Sequence, residues 1–301
     1  MDSSRYSQAA IDYATVDGSV YCSYPAFLDY ATIYYNKEIF NSLNIEKPAT
    51  FDEVVSAIET LQENGYTPIA LGGKGDFDRY WLVQVMAPAL CSDTMEEISK
   101  HEEVDFTSME QMFDTYREWS QKGYMGKDFA STDSVGAQLA FTNGEAGMIV
   151  DGTWNNQMYR DLGFEVGSFA FPGKDGTRYA QSGESNYTTY AIASKCEHPE
   201  EAVEYLKFLN SQEAEQIVEN YVGSIPSVKD LKIRDDSVKE HSEFDVVGQN
   251  IYHVLSGVAD ENGKPQDVFL GEVLPKLMMS EIDGKEAVEM IKTEMDKSSA
   301  K

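Results

Sequence analysis

Helix signals and strand signals alternate along this chain, and that alternation limits the folds open to it. Thr50 and Glu53 form a capping box ahead of Val54, Val55, Ile58 and Leu61, an apolar stripe at helical spacing, and Gly65 stands where the helix should stop. A β-rich run over 67–71 follows at once. The order then repeats. Thr107 and Glu110 read as a second capping box, with Met109, Met112, Phe113, Tyr116 and Trp119 on one stripe. Strands are expected over 20–24, 30–35, 67–71, 146–150, 164–171 and 188–193. Helices are expected over 50–64, 78–85, 107–122, 134–141, 198–209, 211–221, 245–256, 267–280 and 283–295, with Pro199 in a first turn and Asp283 as a cap. The residues up to Val16 read as polar, with a possible helix end. Strands interleaved with helices imply an α/β architecture with a mostly parallel sheet. No internal repeat or low-complexity segment interrupts it.

One stretch carries more than fold. In Glu145–Asn155, EAGMIVDGTWN, a buried strand runs to Val150 and is broken by Asp151 and Gly152, and Thr153 is placed to cap a following helix. Such a turn lies at the carboxyl end of a strand, where open α/β sheets present ligand-binding groups. Trp154, with Asp151 beside it, could grip a ring that is apolar on its face and hydroxylated at its edge, such as a sugar. A core role closing the helix is the other reading of Trp154.

Composition removes several classes. Lys and Arg total 24 against 52 Asp and Glu, a net charge of −28, so nucleic acid and anionic membrane surfaces would be repelled. His101, His198, His241 and His253 are scattered without metal-ligand spacing, so surface or cap roles are expected for them and no metal or cofactor. Cys22, Cys91 and Cys196 form no framework and read as buried structural thiols. No GxSxG occurs. Gly72-Gly73-Lys74-Gly75 follows a strand but lacks the Ser or Thr of a phosphate loop, and reads as a tight loop lining a cleft. MDSSRYSQ has neither a basic nor an apolar signal-peptide region, and no apolar run reaches membrane-spanning length. Tyr24, Tyr80, Trp81, Trp154, Tyr187 and Tyr190 fall at strand ends and loops, off the helical stripes, among Asp29, Asp76, Asp151 and Asn186. As a set they suit a polar, ring-binding cleft. With 52 acidic residues no particular pair stands out for glycoside hydrolysis.

Several segments together resemble one family. GSVYCSYP followed by ATIYYNKEIFNSLNIEKPATFDEVVSAIETLQENG is similar to the YNK…P-T-(W/F)-(D/E)-E signature of family 1 extracellular solute-binding proteins of carbohydrate ABC transporters, the maltose-binding-protein-like group. AFTNGEAGMIVDGTWN resembles that family's F-x-x-G-x-A-A-M-x-x-x-G-x-W segment, YAIASKCEHPEEAVEYLKFLNSQEAEQ its hinge strand and helix pair, and VGSIPS its G-x-I-P turn.

The resemblance implies the type II periplasmic-binding-protein-like fold: two α/β lobes joined by hinge strands, here 20–24 and 188–193. On it, Trp154 matches the sugar-stacking Trp, Asp29 an acidic contact after the first crossing, Tyr80 and Trp81 the aromatic supply of the second lobe, and Phe269 an aromatic of the closing helices. Asp151, Asn186 and Tyr24 are added from their turn and loop positions. The division expected is 1–28 for the end of lobe one and the first hinge strand, 29–188 for lobe two, 189–230 for the second hinge strand and return to lobe one, and 231–301 for C-terminal helices on lobe two.

Against the family pattern the N-terminal lobe looks largely missing, leaving mainly 192–229, too little for a sheet of its own. The implied function is sugar or oligosaccharide capture by hinge closure and delivery to permease subunits, without catalysis, by a monomer outside the cell, lipid-anchored or periplasmic. A glycan hydrolase using paired carboxylates, a binder of a non-sugar solute, and a structural or interaction protein with core aromatics are the alternatives.

Overall fold

The computed structural model describes residues 2–181, 189–233 and 236–299. The chain divides into two compact units. The first comprises Met1–Tyr30, Gly152–Asp161 and Gly183–Ser242; the second comprises Ala31–Asp151, Leu162–Ser182 and Glu243–Lys301.

The second unit is built on a four-stranded sheet in the order Thr67–Ala70, Ala146–Gly152, Ala31–Asn36, Val166–Phe169. All six residues of Ala31–Asn36 and all seven of Ala146–Gly152 are buried, which is why both read as continuous apolar runs. Thr67–Ala70 pairs parallel with Ala146–Gly152, whereas Val166–Phe169 lies antiparallel to Ala31–Asn36 with Ile33 opposite Phe169. The sheet is therefore mixed, not mostly parallel: Val166–Phe169 runs back along the edge of Ala31–Asn36.

Phe51–Glu63 is the helix read from its capping box, with both reciprocal bonds between Thr50 and Glu53 formed. Val54, Ile58 and Leu61 are fully buried in the same apolar cluster as Ile69 and Met148, each contributing roughly 1.5–3 kcal/mol by removal from water. Leu61 comes so close to the strand that a Cβ at Gly147 would stand 2.4 Å from it, so that position must be glycine. Asp283 and Glu286 also cap each other reciprocally at the final helix, Gly284–Ser299.

Elsewhere the local signals misled. The helix at Thr107–Gln121 has Phe106 in its N-cap position, because the Asp105 carboxylate takes the Thr107 amide at 2.9 Å; Thr107 and Glu110 form no box. Asp76–Leu90 is longer at both ends than expected and carries Pro88 inside it. Ser92–Lys100, too polar to announce itself, is a further helix, closed by His101 in a left-handed conformation. Residues 245–256 are not one helix. Val246–Gly248 is a strand parallel to Arg178–Gln181, itself unforeseen, and only Ile251–Gly257 is helical, capped by Asn250. The closing segment Pro265–Met278 is helical throughout, with a π-helical stretch at Phe269–Val273.

The first unit is mostly helical. Its strands, among the described residues, are two-residue pairs: Thr15–Val16 with Ser19–Val20, and Phe27–Leu28 with Ile225–Pro226. The expected strand at 20–24 is thus a hairpin arm ending at Val20. Asp17 and Gly18, at φ 48° and 75°, make its turn. Residues 189–193 form no strand either, and Thr188 lies outside the described residues; the two segments meet only where Ser23 N–H donates to Tyr190 O at 2.8 Å and Tyr190 N–H to Ser23 Oγ at 3.0 Å. The residues before Val16 hold a complete helix, Gln8–Ala14, capped by Ser7. Pro199–Leu209 and Gln212–Val222 are the expected consecutive helices. Among the described residues no helix is long and apolar enough to cross a membrane.

Of the thiols, Cys91 is buried and pushed up to about 12 by desolvation, while Cys22 and Cys196 are half-buried. His241 is a buried residue, not a surface one, with Nε2 3.0 Å from Asn156 Oδ1.

Candidate functional site

In the first unit the surface around Trp154 is built by three neighbours in sequence. Gly152, Thr153 and Trp154 leave the strand end directly into a short 3-10 turn, Thr153–Asn155, and then the helix Asn156–Arg160. The strand runs through Asp151 and Gly152 without breaking, and Thr153 caps nothing. Its Oγ donates instead to Asp29 Oδ1 at 2.9 Å and accepts from the Tyr30 amide at 3.1 Å. The indole of Trp154 lies flat on Gly152: a Cβ there would fall 2.2 Å from Cε2 and 2.3 Å from Cζ2. Backbone contact holds one ring face, and the side chain stays half-exposed.

Asp29 is the second element. It is half-buried, and burial pushes its carboxyl above the usual range against the opposing bonds from Ser224 and Thr153. Hydroxyl donors thus fix a carboxylate that makes no ion pair among the described residues, leaving it acceptor capacity for further hydroxyl groups. Ser224 and Thr153 were not singled out from sequence. Both sit inside the quoted motifs, VGSIPS and DGTWN, and that is the signal that could have found them.

The remaining site residues take other places. Tyr24 is buried against Tyr6, with ring centroids 5.1 Å apart. Asn186 lies outside the described residues. In the second unit, Asp151 is buried and its carboxylate accepts from Gln138 Nε2 at 2.9 Å. Tyr80 is buried, its hydroxyl donating to Asn250 Oδ1 at 2.5 Å, and its ring meets Phe269 edge-on at 5.9 Å. Phe269 is fully buried and belongs to the core of that unit. Trp81 is half-buried against the same core. Gly72–Gly75 packs on its own unit: Gly72 and Gly73 touch the backbone at Asp133 and Phe129, and the Arg79 guanidinium donates to the carbonyls of Gly73 and Lys74 at 3.1 Å each. That arrangement closes the loop from within, which explains its glycines without a phosphate.

This turn-borne indole beside a hydroxyl-tethered carboxylate occurs in a chain whose residues 2–216 match the family of bacterial extracellular solute-binding proteins, and the chain belongs to that family. It is 27% identical over 226 residues to the multiple sugar-binding protein of Streptococcus mutans, covering 72% of this chain and 53% of that one. The chain therefore spans about half the length of that relative. Its fold is that of solved solute-binding proteins. A chitin oligosaccharide binding protein superposes with a TM-score of 0.80 at 20% identity, covering 99% of this chain and 76% of the other. A solute-binding protein solved in complex with raffinose gives 0.78 at 16%, covering 98% and 77%.

Proposed function

We propose that this chain is the solute-binding part of a bacterial ABC transporter for carbohydrates. It captures a sugar or oligosaccharide and hands it to the permease subunits, and it performs no chemistry. The observation that carries this reading is the half-exposed Trp154 seated on Gly152, one residue from the Thr153 hydroxyl that holds Asp29. An immobilised indole offers a flat apolar face for a pyranose ring at little entropic cost, and the carboxylate accepts its hydroxyl protons. Relatives named for sugar binding, and a neighbour solved with raffinose, support the same ligand class. Trp81 is a secondary candidate contact. Tyr24, Tyr80, Asp151 and Phe269, buried as they are, would act by holding such surfaces in place. The protein works as a monomer at the cell surface, lipid-anchored or periplasmic.

Saturation-transfer NMR against a mixed oligosaccharide panel, with the sugar spectra followed overnight, tests this. The expected result is transfer to one sugar, unchanged spectra, and a loss of affinity of about tenfold or more in Trp154→Ala with folding intact. A variant that binds like the parent removes Trp154 from the site, and new sugar signals appearing with time would make the protein a hydrolase.

A further inference from the structure

The helix Gln212–Val222 is inside out. Its inward residues are Ala214, Glu215 and Glu219, the two glutamates each only 1% exposed, whereas Ile217, Val218 and Tyr221 face outward, Tyr221 at 68%. The buried end is satisfied by polar partners: Glu215 accepts from Arg5 Nη2 and from Tyr6 Oη, both at 2.6 Å. The preceding helix, Pro199–Leu209, has no buried residue, and Phe208 is 56% exposed. Beside it opens a cavity of about 250 Å³ lined by Tyr21, Cys22, Tyr190, Ile192, Val203 and Leu206 among others. A contiguous apolar surface of this kind marks an interaction site in a folded protein.

Two facts choose the occupant. A second copy would bring another net charge of −28 to the face, so self-association is opposed over its whole approach. The solved proteins, by contrast, contain almost all of this chain, yet the chain fills only 76% and 77% of them. About a quarter of that fold therefore has no counterpart here. In an α/β layer architecture, a helix pair with an outward apolar face is covered by a sheet, and the described strands of the first unit are only two residues long.

We propose that the outward face of Pro199–Leu209 and Gln212–Val222 is a docking surface for an α/β polypeptide segment lying outside these 301 residues, which adds a sheet to the first unit and seats on Val203, Phe208, Ile217 and Tyr221.

The test uses the purified 301-residue chain and, as probe, the part of the Streptococcus mutans multiple sugar-binding protein that this chain does not match, made as a separate polypeptide. Sedimentation and hydrogen exchange are read with and without the probe. Alone, the chain is expected to be monomeric with fast amide exchange in both helices. With the probe it forms a one-to-one complex, exchange in those helices slows, and Phe208→Glu or Tyr221→Glu weakens the complex by about tenfold while Trp154→Ala leaves it unchanged. Slow exchange of the helices in the isolated chain would overturn the proposal. So would a homodimer dissolved by Phe208→Glu, or the absence of any complex with the probe.

Discussion

The hydroxyl of Thr153 donates to the carboxylate of Asp29 at 2.9 Å, joining residues 124 apart in the chain. The same oxygen accepts from the amide of Tyr30, so one side chain satisfies two groups of a second segment. Thr153→Val keeps the shape and removes both bonds. It is expected to destabilise the protein by about 1–3 kcal/mol, the cost of leaving a part-buried acceptor and a buried amide unmade, with Thr153→Ser restoring most of it. Urea unfolding of the three proteins measures this, and equal midpoints would show that the bonds carry nothing.

Asp29 also makes a pH prediction. Burial raises its carboxyl above the ordinary 3.8, so the folded state holds the proton more tightly than the unfolded one. Its contribution to stability therefore declines as pH rises from the ordinary carboxylate range through the raised value, and is constant above it. Sugar affinity runs the opposite way, because the ionised carboxylate is the acceptor: it is level at neutral pH and falls as pH drops through the raised value. Calorimetric titration across pH should show that fall in the parent and a flat profile in Asp29→Asn.

Gly152 has a sharper steric constraint than any capping residue nearby. A methyl group there would enter the Trp154 ring, 2.2 Å from Cε2. Gly152→Ala must lift the indole, at an expected cost of about 1–3 kcal/mol. Tryptophan fluorescence should shift and sugar affinity fall together. A variant with parental fluorescence and affinity would mean the ring does not depend on that backbone contact.

The parallel pair Arg178–Gln181 and Val246–Gly248 is clasped at one end by Arg178 and Asp245. The guanidinium donates to both carboxylate oxygens, at 2.9 and 3.0 Å, and the Arg178 amide adds a third bond. These bonds, the side-chain ones first, hold the Asp245 carboxyl at about 2. A depressed acid stabilises the fold above its unfolded value and loses that contribution as pH falls toward the folded one, here between the ordinary 3.8 and about 2. Carboxylate NMR should place the Asp245 midpoint at the low end of that window, and Arg178→Ala should return it to the ordinary range.

How much of this could be read beforehand depends on how far each feature reaches along the chain. The capping box at Thr50 and Glu53 spans three residues, and it was legible and is formed. At Thr107 a pattern of equal quality failed, because Asp105 competes for the same amide from two residues away. The strand Val246–Gly248 read as helix because its pairing partner, Arg178–Gln181, lies far upstream in what looked like loop. In the candidate site, Trp154 and Asp29 were legible as residue types at turn positions. Thr153 read as a cap because helix starts favour threonine, and only the approach of Asp29 redirects its hydroxyl.

By itself, then, the sequence determined the elements with strong local signatures, the family to which the chain belongs, and the aromatic and acidic residues that suit a sugar. Caps, periodicity and β-branched runs act over a few residues, so their energies are written locally. The tertiary structure decided the rest: that Asp151 is buried on Gln138 while Asp29 is held by Thr153, that Tyr80 and Phe269 serve the core, and that Gln212–Val222 turns its glutamates inward. Each of those outcomes depends on which distant segment reaches a side chain first. A helix that looks amphipathic in sequence does not say which face is inside, because a buried arginine partner can outweigh the preference of its apolar residues for the interior.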